Sequence, residues 1–322
     1  MNINRLKLVK GLFSAPFTPL FSDGSLNLEA IPQLVDNLIE DGVVGAFICG
    51  SNGEGPNLTT EERMKVAEVF VKASNKRIQI WVHVGHSSIS ESRKLIRHAY
   101  EIGADAASAV AAFYFKPSSV ENLVDCMAEI ASGCPEIPFY YYHIPMLTGV
   151  GMDMFRFLEL AEKQIPNLHG IKYTSNTIWE YQACVNHFGD RFNILYGFDE
   201  MLLPALSVGA KAAIGSTYNF AAPLYLEVVA AFEKGDISAA RDIMSLLIDM
   251  VRAFVKYPAI AAQKAIMKML GNDVGGTRLP LTSLSQEDYN ILQLELEKIG
   301  FWKALQESKS RLKLSRNAEE NV

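Results

Sequence analysis

Eight short apolar runs, each followed by a longer segment with helical periodicity, constrain the fold of this chain more than any other feature of its sequence. The segment after the second run opens with Thr59-x-x-Glu62, the spacing of a capping box at a helix start. Strands that alternate with helices form parallel sheets, and eight such units close into a barrel. We therefore predict an α/β fold, a (β/α)8 TIM barrel, with strands near residues 12–15, 45–49, 78–84, 106–111, 138–142, 168–172, 192–196 and 210–214.

Strand signals stop after about residue 235, and three amphipathic segments follow: DISAARDIMSLLIDMVRAFV, PAIAAQKAIMKML and SQEDYNILQLELEKIGFWKA. They predict three helices in a C-terminal helical appendage on the barrel. The polar residues 308–322 predict a frayed helix end and a disordered tail. We expect residues 1–235 to form the barrel and residues 236–322 the appendage and tail, as one structural unit.

Charge and composition narrow the possible partners. A net charge of −6 argues against nucleic acid or an anionic membrane, although it leaves room for a small anionic substrate. No stretch approaches the roughly eighteen uncharged apolar residues of a membrane span, and the N-terminal segment lacks the apolar run of a signal peptide. The sequence predicts a reduced, soluble, cytoplasmic protein, since no metal or redox spacing links its cysteines, Cys49, Cys126, Cys134 and Cys184.

Polar residues follow five of the predicted strands at their carboxyl ends, where the active sites of such barrels lie. In LHGIKYTS (168–175), Lys172 ends a short apolar strand, a position that a lysine often takes only to cover apolar surface with its stem. The convergence of five polar strand ends on one rim favours a functional role for it instead. These ends read GSNGEGP (50–56), YYYHIP (140–145), KYTS (172–175), GFDE (197–200) and GSTYN (215–219).

The histidines point to structure rather than to a metal. His83 and His86 have a His-x-x-His spacing but no third ligand and no HExxH-type helix, so we predict structural histidines and no metal site. His143 follows Tyr142, and alternation along a strand predicts that the two side chains face opposite sides of the sheet. Among the three tyrosines 140–142, at least one is expected to serve packing.

A buried lysine beside a tyrosine and a carboxylate-binding loop suits amine catalysis. An amine attacks a ketone only when it is unprotonated, and the resulting iminium accepts electrons from an adjacent bond. A lysine poised near pH 7–8 needs a pKa roughly 3 units below its free value, or about 4 kcal/mol, which desolvation can supply. The amides of GSNGEG and the Ser51 hydroxyl, at a helix start, could hold the carboxylate of a 2-oxo acid.

Together, the motifs GSNGEG, YYYHIPMLTGV, GIKYTS, GFDE and GSTYN resemble those of the pyruvate-dependent class I aldolase family that contains dihydrodipicolinate synthase and N-acetylneuraminate lyase. The similarity runs from about residue 11 to residue 281, and YYYHIP with GSTYN is most similar to the N-acetylneuraminate lyase branch. The resemblance implies a lyase without a cofactor that cleaves N-acetylneuraminate reversibly to N-acetylmannosamine and pyruvate. It also implies a homotetramer.

The resemblance implies three catalytic residues. Lys172 would form the Schiff base, and Tyr142 would carry a proton to and from the C4 hydroxyl of the substrate. Tyr114, in AAFYFKP, matches a tyrosine that a neighbouring subunit contributes to the proton relay.

The resemblance also implies a set of substrate-binding residues. One pair would bind the pyruvyl carboxylate, one residue would lie beside the reacting bond, and the remainder would bind the polyhydroxyl tail, in one case through the backbone. In that order they are Ser51 and Asn52, then Thr174, then Gly197 (backbone), Asp199, Glu200 and Ser216.

Two positions depart from the family pattern, and three alternatives stay open. Asn52 stands where the lyase pattern has Thr, and Ala112 stands where a Pro is usual. A synthase would place an arginine after the Ile-Pro of the fifth strand, to hold a second carboxylate, but Met146 and Leu147 occupy that stretch. A non-catalytic ligand-binding relative would lack the lysine or the tyrosine. Another pyruvate-dependent 2-keto acid aldolase is also possible.

Overall fold

A closed barrel of eight parallel strands forms the centre of the computed structural model, which describes residues 8–320. Each strand pairs with its neighbours in chain order, and β1 pairs with β8 to close the barrel. The predicted TIM barrel is therefore confirmed. The strands are β1 (Gly11–Ser14), β2 (Gly45–Ile48), β3 (Gln79–His83), β4 (Ala106–Val110), β5 (Phe139–His143), β6 (Leu168–Tyr173), β7 (Asn193–Tyr196) and β8 (Ala212–Gly215).

Helices surround the barrel and continue beyond it. Thr59 caps one of them, because its hydroxyl accepts from the Glu62 amide while the Glu62 carboxylate accepts from the Thr59 amide, as the sequence predicted. The helices are α1 (Ile31–Glu40), α2 (Thr60–Ser74), α3 (Ile89–Glu101), α4 (Val120–Ala131), α5 (Pro145–Thr148), α6 (Met154–Gln164), α7 (Ile178–Phe188), α8 (Leu202–Ser207), α9 (Ala222–Glu233), α10 (Ile237–Phe254), α11 (Ala259–Met269), α12 (Gln286–Lys298) and α13 (Phe301–Glu320).

Alternation along β5 sorts its side chains between two apolar clusters. Tyr140 and Tyr142 belong to the cluster inside the barrel, and Tyr140 stacks on Trp81 with 4.1 Å between ring centroids. Tyr141 belongs to the layer between strands and helices, where it packs on Phe157. His143 packs on Tyr141 in the same layer, so the predicted opposite orientation of Tyr142 and His143 is confirmed.

The C-terminal region differs from the prediction in two ways. The third predicted helix is two helices, α12 and α13, because the chain turns at Gly300, which has a left-handed φ of +79°. The polar segment from residue 308, predicted as a frayed helix end and a disordered tail, is helical through Glu320. The predicted disorder is therefore wrong for residues 308–320. Residues 321–322 of that segment lie outside the described residues.

Charged side chains explain why this polar segment forms a helix against the barrel. Lys309 pairs with the buried Asp41 at 2.7 Å, and Arg311 pairs with Glu227 on α9 at 2.8 Å. Arg316 donates to the carbonyl oxygens at the end of α1. Sequence periodicity does not reveal such long-range partners. The boundary at residue 235 stays a prediction, since one apolar cluster includes residues from both sides of it.

None of the helices between residues 8 and 320 combines the length and the apolar character that crossing a membrane requires.

Candidate active site

A cavity of about 410 Å³ opens at the carboxyl ends of the barrel strands. The loops after β2, β5, β6, β7 and β8 line it, and residues of α10, α11 and their connection form one wall. This is the rim at which the sequence placed the polar strand ends. Nine of the ten predicted site residues line the cavity, namely Ser51, Asn52, Tyr142, Lys172, Thr174, Gly197, Asp199, Glu200 and Ser216.

Lys172 occupies the inner end of this cavity, and only 4% of its surface is exposed. Its Nζ lies 4.3 Å from the ring centroid of Phe47 and 4.2 Å from that of Tyr142. Burial lowers the pKa of Lys172 from 10.5 to about 7, and the charge of Asp199 opposes this shift. Such a shift corresponds to about 5 kcal/mol, which exceeds the ~2 kcal/mol by which aromatic faces stabilise a desolvated ammonium. A neutral amine is therefore well populated near pH 7.

Tyr142 lies beside Lys172 because β5 and β6 pair these two residues directly. Burial raises the pKa of the Tyr142 phenol to about 12, while Ser51 and Thr174 nearby oppose the rise. The phenol stays protonated at neutral pH and can donate a proton or relay one. The Thr174 hydroxyl is buried near the Tyr142 phenol, and Thr174 lines the cavity.

Asp199 is a buried carboxylate, and one of its two oxygens already accepts hydrogen bonds. Its Oδ2 accepts from the Thr217 amide and the Thr217 hydroxyl, each at 2.7 Å, and from the Ser216 hydroxyl at 3.4 Å. Burial raises its pKa above 3.8, and these donors oppose the rise. A Cβ on Gly215 would lie 1.6 Å from Asp199 Oδ1, so the strand end must be glycine here. Asp199 thus fixes the loop after β8 as well as lining the cavity.

Gly197 and Glu200 complete the β7 end of the site. The Gly197 amide donates to the Tyr173 carbonyl at 2.8 Å, which leaves only the Gly197 carbonyl for a ligand. A Cβ at Gly197 would lie 1.8 Å from Thr174 Oγ1, so a larger residue would displace Thr174. Burial first, and then the charge of Asp199, raise the pKa of the Glu200 carboxyl above 4.5.

A buried ion pair anchors the GSNGEG loop to α11, and it was not predicted from the sequence. Glu54 has a left-handed φ of +54° and pairs with Lys264 of α11 at 2.8 Å. Lys264 also donates to the carbonyls of Thr18 and Gly276, and Glu54 accepts from the Arg278 amide at 2.9 Å. The one available signal was a lysine within the apolar helix segment PAIAAQKAIMKML.

His83 is buried and hydrogen-bonded within the fold, which is consistent with the structural role predicted for it. Its Nε2 accepts from the Val110 amide at 3.3 Å, and its carbonyl accepts from the buried Arg63 at 2.5 Å. Burial and then the charge of Arg63 hold the pKa of His83 well below 6.5. His86 accepts from the Ser88 amide at 2.9 Å. In the part of the chain that the structure describes, no three His, Cys, Asp or Glu side chains form a group that could hold a metal ion.

Tyr114 is the one predicted site residue that lies outside the cavity. It is 78% exposed on the loop after β4, where its ring packs edge-on against Phe115. The cavity of a single chain is therefore built without it. Its predicted contribution to the site of a neighbouring subunit stays a prediction.

Similarity to known proteins agrees with this geometry. The sequence profile of the dihydrodipicolinate synthetase family matches residues 8–299. The Xenopus laevis protein named N-acetylneuraminate lyase A is 40% identical to this chain, over 88% of this chain and 94% of that protein. The structure of N-acetylneuraminate lyase from Proteus mirabilis has a TM-score of 0.89 and 40% identity, covering 92% of this chain and 100% of its own. That of the Aliivibrio salmonicida enzyme has a TM-score of 0.89 and 41% identity, covering 92% and 98%.

The fold and the site define a TIM-barrel enzyme with its active-site cavity at the carboxyl ends of the strands. The profile match over most of the chain then gives the family. This chain belongs to the dihydrodipicolinate synthetase family.

Proposed function

We propose that this protein is a class I aldolase that cleaves N-acetylneuraminate reversibly to N-acetylmannosamine and pyruvate. The observation that carries the proposal is the buried Lys172, whose pKa is about 7, next to the protonated phenol of Tyr142. An amine that is neutral near pH 7 can attack a ketone without an external base. Fold alone would not support this reaction, since barrels of this kind host many chemistries.

In the proposed reaction, the Nζ of Lys172 adds to the C2 ketone of the open-chain substrate, and loss of water gives an iminium. The phenol of Tyr142 gives its proton to the hydroxyl that departs as water, which leaves a phenolate beside the iminium. As the C3–C4 bond breaks, this phenolate accepts the proton of the C4 hydroxyl, the electron pair of the bond moves into the iminium to form an enamine, and C4 departs as the aldehyde carbon of N-acetylmannosamine. Protonation of the enamine at C3 and hydrolysis release pyruvate and the free lysine. Ser51 and Asn52 would bind the carboxylate, and the buried hydroxyl of Thr174 would lie beside the reacting bond, since all three residues line the cavity.

Two observations favour a sugar acid over the other substrates of the family. The β7 and β8 ends of the cavity carry Asp199, Glu200 and Ser216, and carboxylates accept hydrogen bonds from vicinal hydroxyls well. Met146 and Leu147 follow Pro145, where a dihydrodipicolinate synthase-like site needs an arginine for its second carboxylate. The relatives named N-acetylneuraminate lyase support the same choice. The presence of both Lys172 and Tyr142 argues against a non-catalytic relative.

The proposal includes the assembly and setting of the enzyme. A homotetramer is supported by the exposed Tyr114, which would complete the site of a neighbouring subunit. A cytoplasmic setting is supported by the four free cysteines. The reaction needs no cofactor, because the iminium itself provides the electron sink.

Borohydride reduction in the presence of pyruvate tests the chemistry. We expect a stable adduct that peptide mapping assigns to Lys172, because reduction converts the iminium to a secondary amine. An adduct at another lysine, or none, would remove the aldolase proposal.

A comparison of two variants tests the substrate. Glu200→Ala should reduce N-acetylneuraminate cleavage about ten- to a hundredfold and leave pyruvate trapping much less affected, since pyruvate has no tail to bind. Ser51→Ala is the matched control, and it should weaken both, because both ligands carry the carboxylate. Equal losses in the two assays for Glu200→Ala would point to a shorter keto acid.

A further inference from the structure

Gln263 is a buried polar residue that neither the fold nor the proposed chemistry explains. It lies on α11, is 4% exposed, and forms part of the lining of the active-site cavity. Its Oε1 is buried and accepts no hydrogen bond from the described residues. A buried amide oxygen without a donor is costly, so native structures rarely keep one unless a ligand or water completes it. No pattern in the sequence distinguishes this residue.

The wall around Gln263 differs in chemistry from the wall opposite. Phe254, Val255, Pro258 and Ile260 give this side of the cavity an apolar surface. The ends of β7 and β8, by contrast, present carboxylates and hydroxyls. A ligand that fits both walls needs hydroxyls on one side, and on the other an apolar group together with a hydrogen-bond donor.

The next residue along the helix, Lys264, holds Gln263 in position. Lys264 forms the buried ion pair with Glu54 of the GSNGEG loop, so α11 is anchored to the loop that binds the substrate carboxylate. The terminal amide of Gln263 can still turn about its last torsion, because that rotation has a broad and nearly two-fold profile. Either its oxygen or its nitrogen can therefore face the ligand.

We propose that Gln263 is a specificity-determining residue that recognises the acylamino group of the sugar acid, an inference that rests on the proposed function. The Gln263 oxygen accepts a hydrogen bond from the acylamino N–H, and the acyl methyl group packs on the apolar surface beside Phe254 and Val255. A sugar with a hydroxyl in place of the acylamino group leaves this surface uncovered. The enzyme should therefore prefer the N-acyl substrate over its hydroxyl analogue.

The test runs the reaction in the direction of condensation, with pyruvate and either N-acetylmannosamine or mannose as the aldehyde. Gln263→Met keeps the length of the side chain and removes its hydrogen bonding, so we expect the ratio of kcat/KM for N-acetylmannosamine to that for mannose to fall about tenfold. Gln263→Glu retains an acceptor and should restore part of the ratio. Gln293→Met, on the exposed face of α12, is the control and should not change it.

Two results would count against the inference, and they are distinguishable. If Gln263→Met still forms the borohydride adduct at Lys172 but loses both condensations equally, or neither, Gln263 does not recognise the acyl group. If the wild-type enzyme gives no adduct and condenses neither aldehyde, the proposed function itself fails, and the inference falls with it.

Discussion

Lys172 and Lys264 are both buried lysines, with 4% and 2% of their surfaces exposed, yet their surroundings give them different tasks. Burial lowers the pKa of each. Lys264 has a carboxylate partner at 2.8 Å and two carbonyl acceptors, which stabilise its charged form. The ammonium of Lys172 would instead face two aromatic rings. Burial alone therefore does not make a nucleophile, because a bonded partner can keep a buried lysine charged.

The largest expected effects come from replacing each lysine by methionine. Lys172→Met removes the nucleophile and should lower cleavage more than about 10³-fold with no loss of fold. Lys264→Met leaves Glu54 buried and unpaired, which should cost about 3–5 kcal/mol of unfolding free energy. Activity assays and urea unfolding of both variants measure the two effects.

A double variant provides the control for this pair. Glu54→Gln with Lys264→Met removes both charges and should recover part of the lost stability. If Lys264→Met unfolded no more readily than the wild type, the ion pair would not anchor the loop, and the contrast between the two lysines would be lost.

The pH dependence of adduct formation should show the next largest effect. Only the neutral amine of Lys172 attacks pyruvate, and its pKa is about 7. The rate should therefore fall about tenfold per unit below pH 7 and level off above about pH 8. Initial rates of borohydride-trapped adduct measure the profile. A rate that kept rising toward pH 10 would show that Lys172 has an ordinary pKa.

A smaller effect should appear in the pH dependence of stability. The folded-state pKa of Lys172, about 7, lies below its ordinary value of 10.5, so between these values the unfolded chain binds more protons. Stability from this group should therefore rise with pH, by up to about 1.4 kcal/mol per unit, and be lost as pH falls toward 7. The difference in unfolding free energy between wild type and Lys172→Met, measured between about pH 7.5 and 9.5, should change with this slope. Parallel curves would mean that burial does not perturb Lys172.

The residues of the site could be predicted from the sequence, whereas most of the contacts that support them could not. Lys172, Tyr142 and the residues of GFDE and GSTYN were placed at one rim, because all parallel strands end at the same edge of a barrel. Glu54 and Gln263 were not identified. The first appeared to be part of a glycine-rich turn, and the second occupies an ordinary position in a helix. Their roles depend on α11 crossing over the cavity, which no local pattern encodes.

The barrel and the positions of its polar strand ends follow from the amino-acid sequence alone, since hydrophobic periodicity and helix capping are properties of neighbouring residues. The end of α12 before Gly300 and the docking of the polar C-terminal segment as a helix do not follow from it. Which buried lysine is neutral depends on the tertiary structure. A pKa depends on burial and on charges that the fold brings close, and the partner of Lys264 lies 210 residues away along the chain.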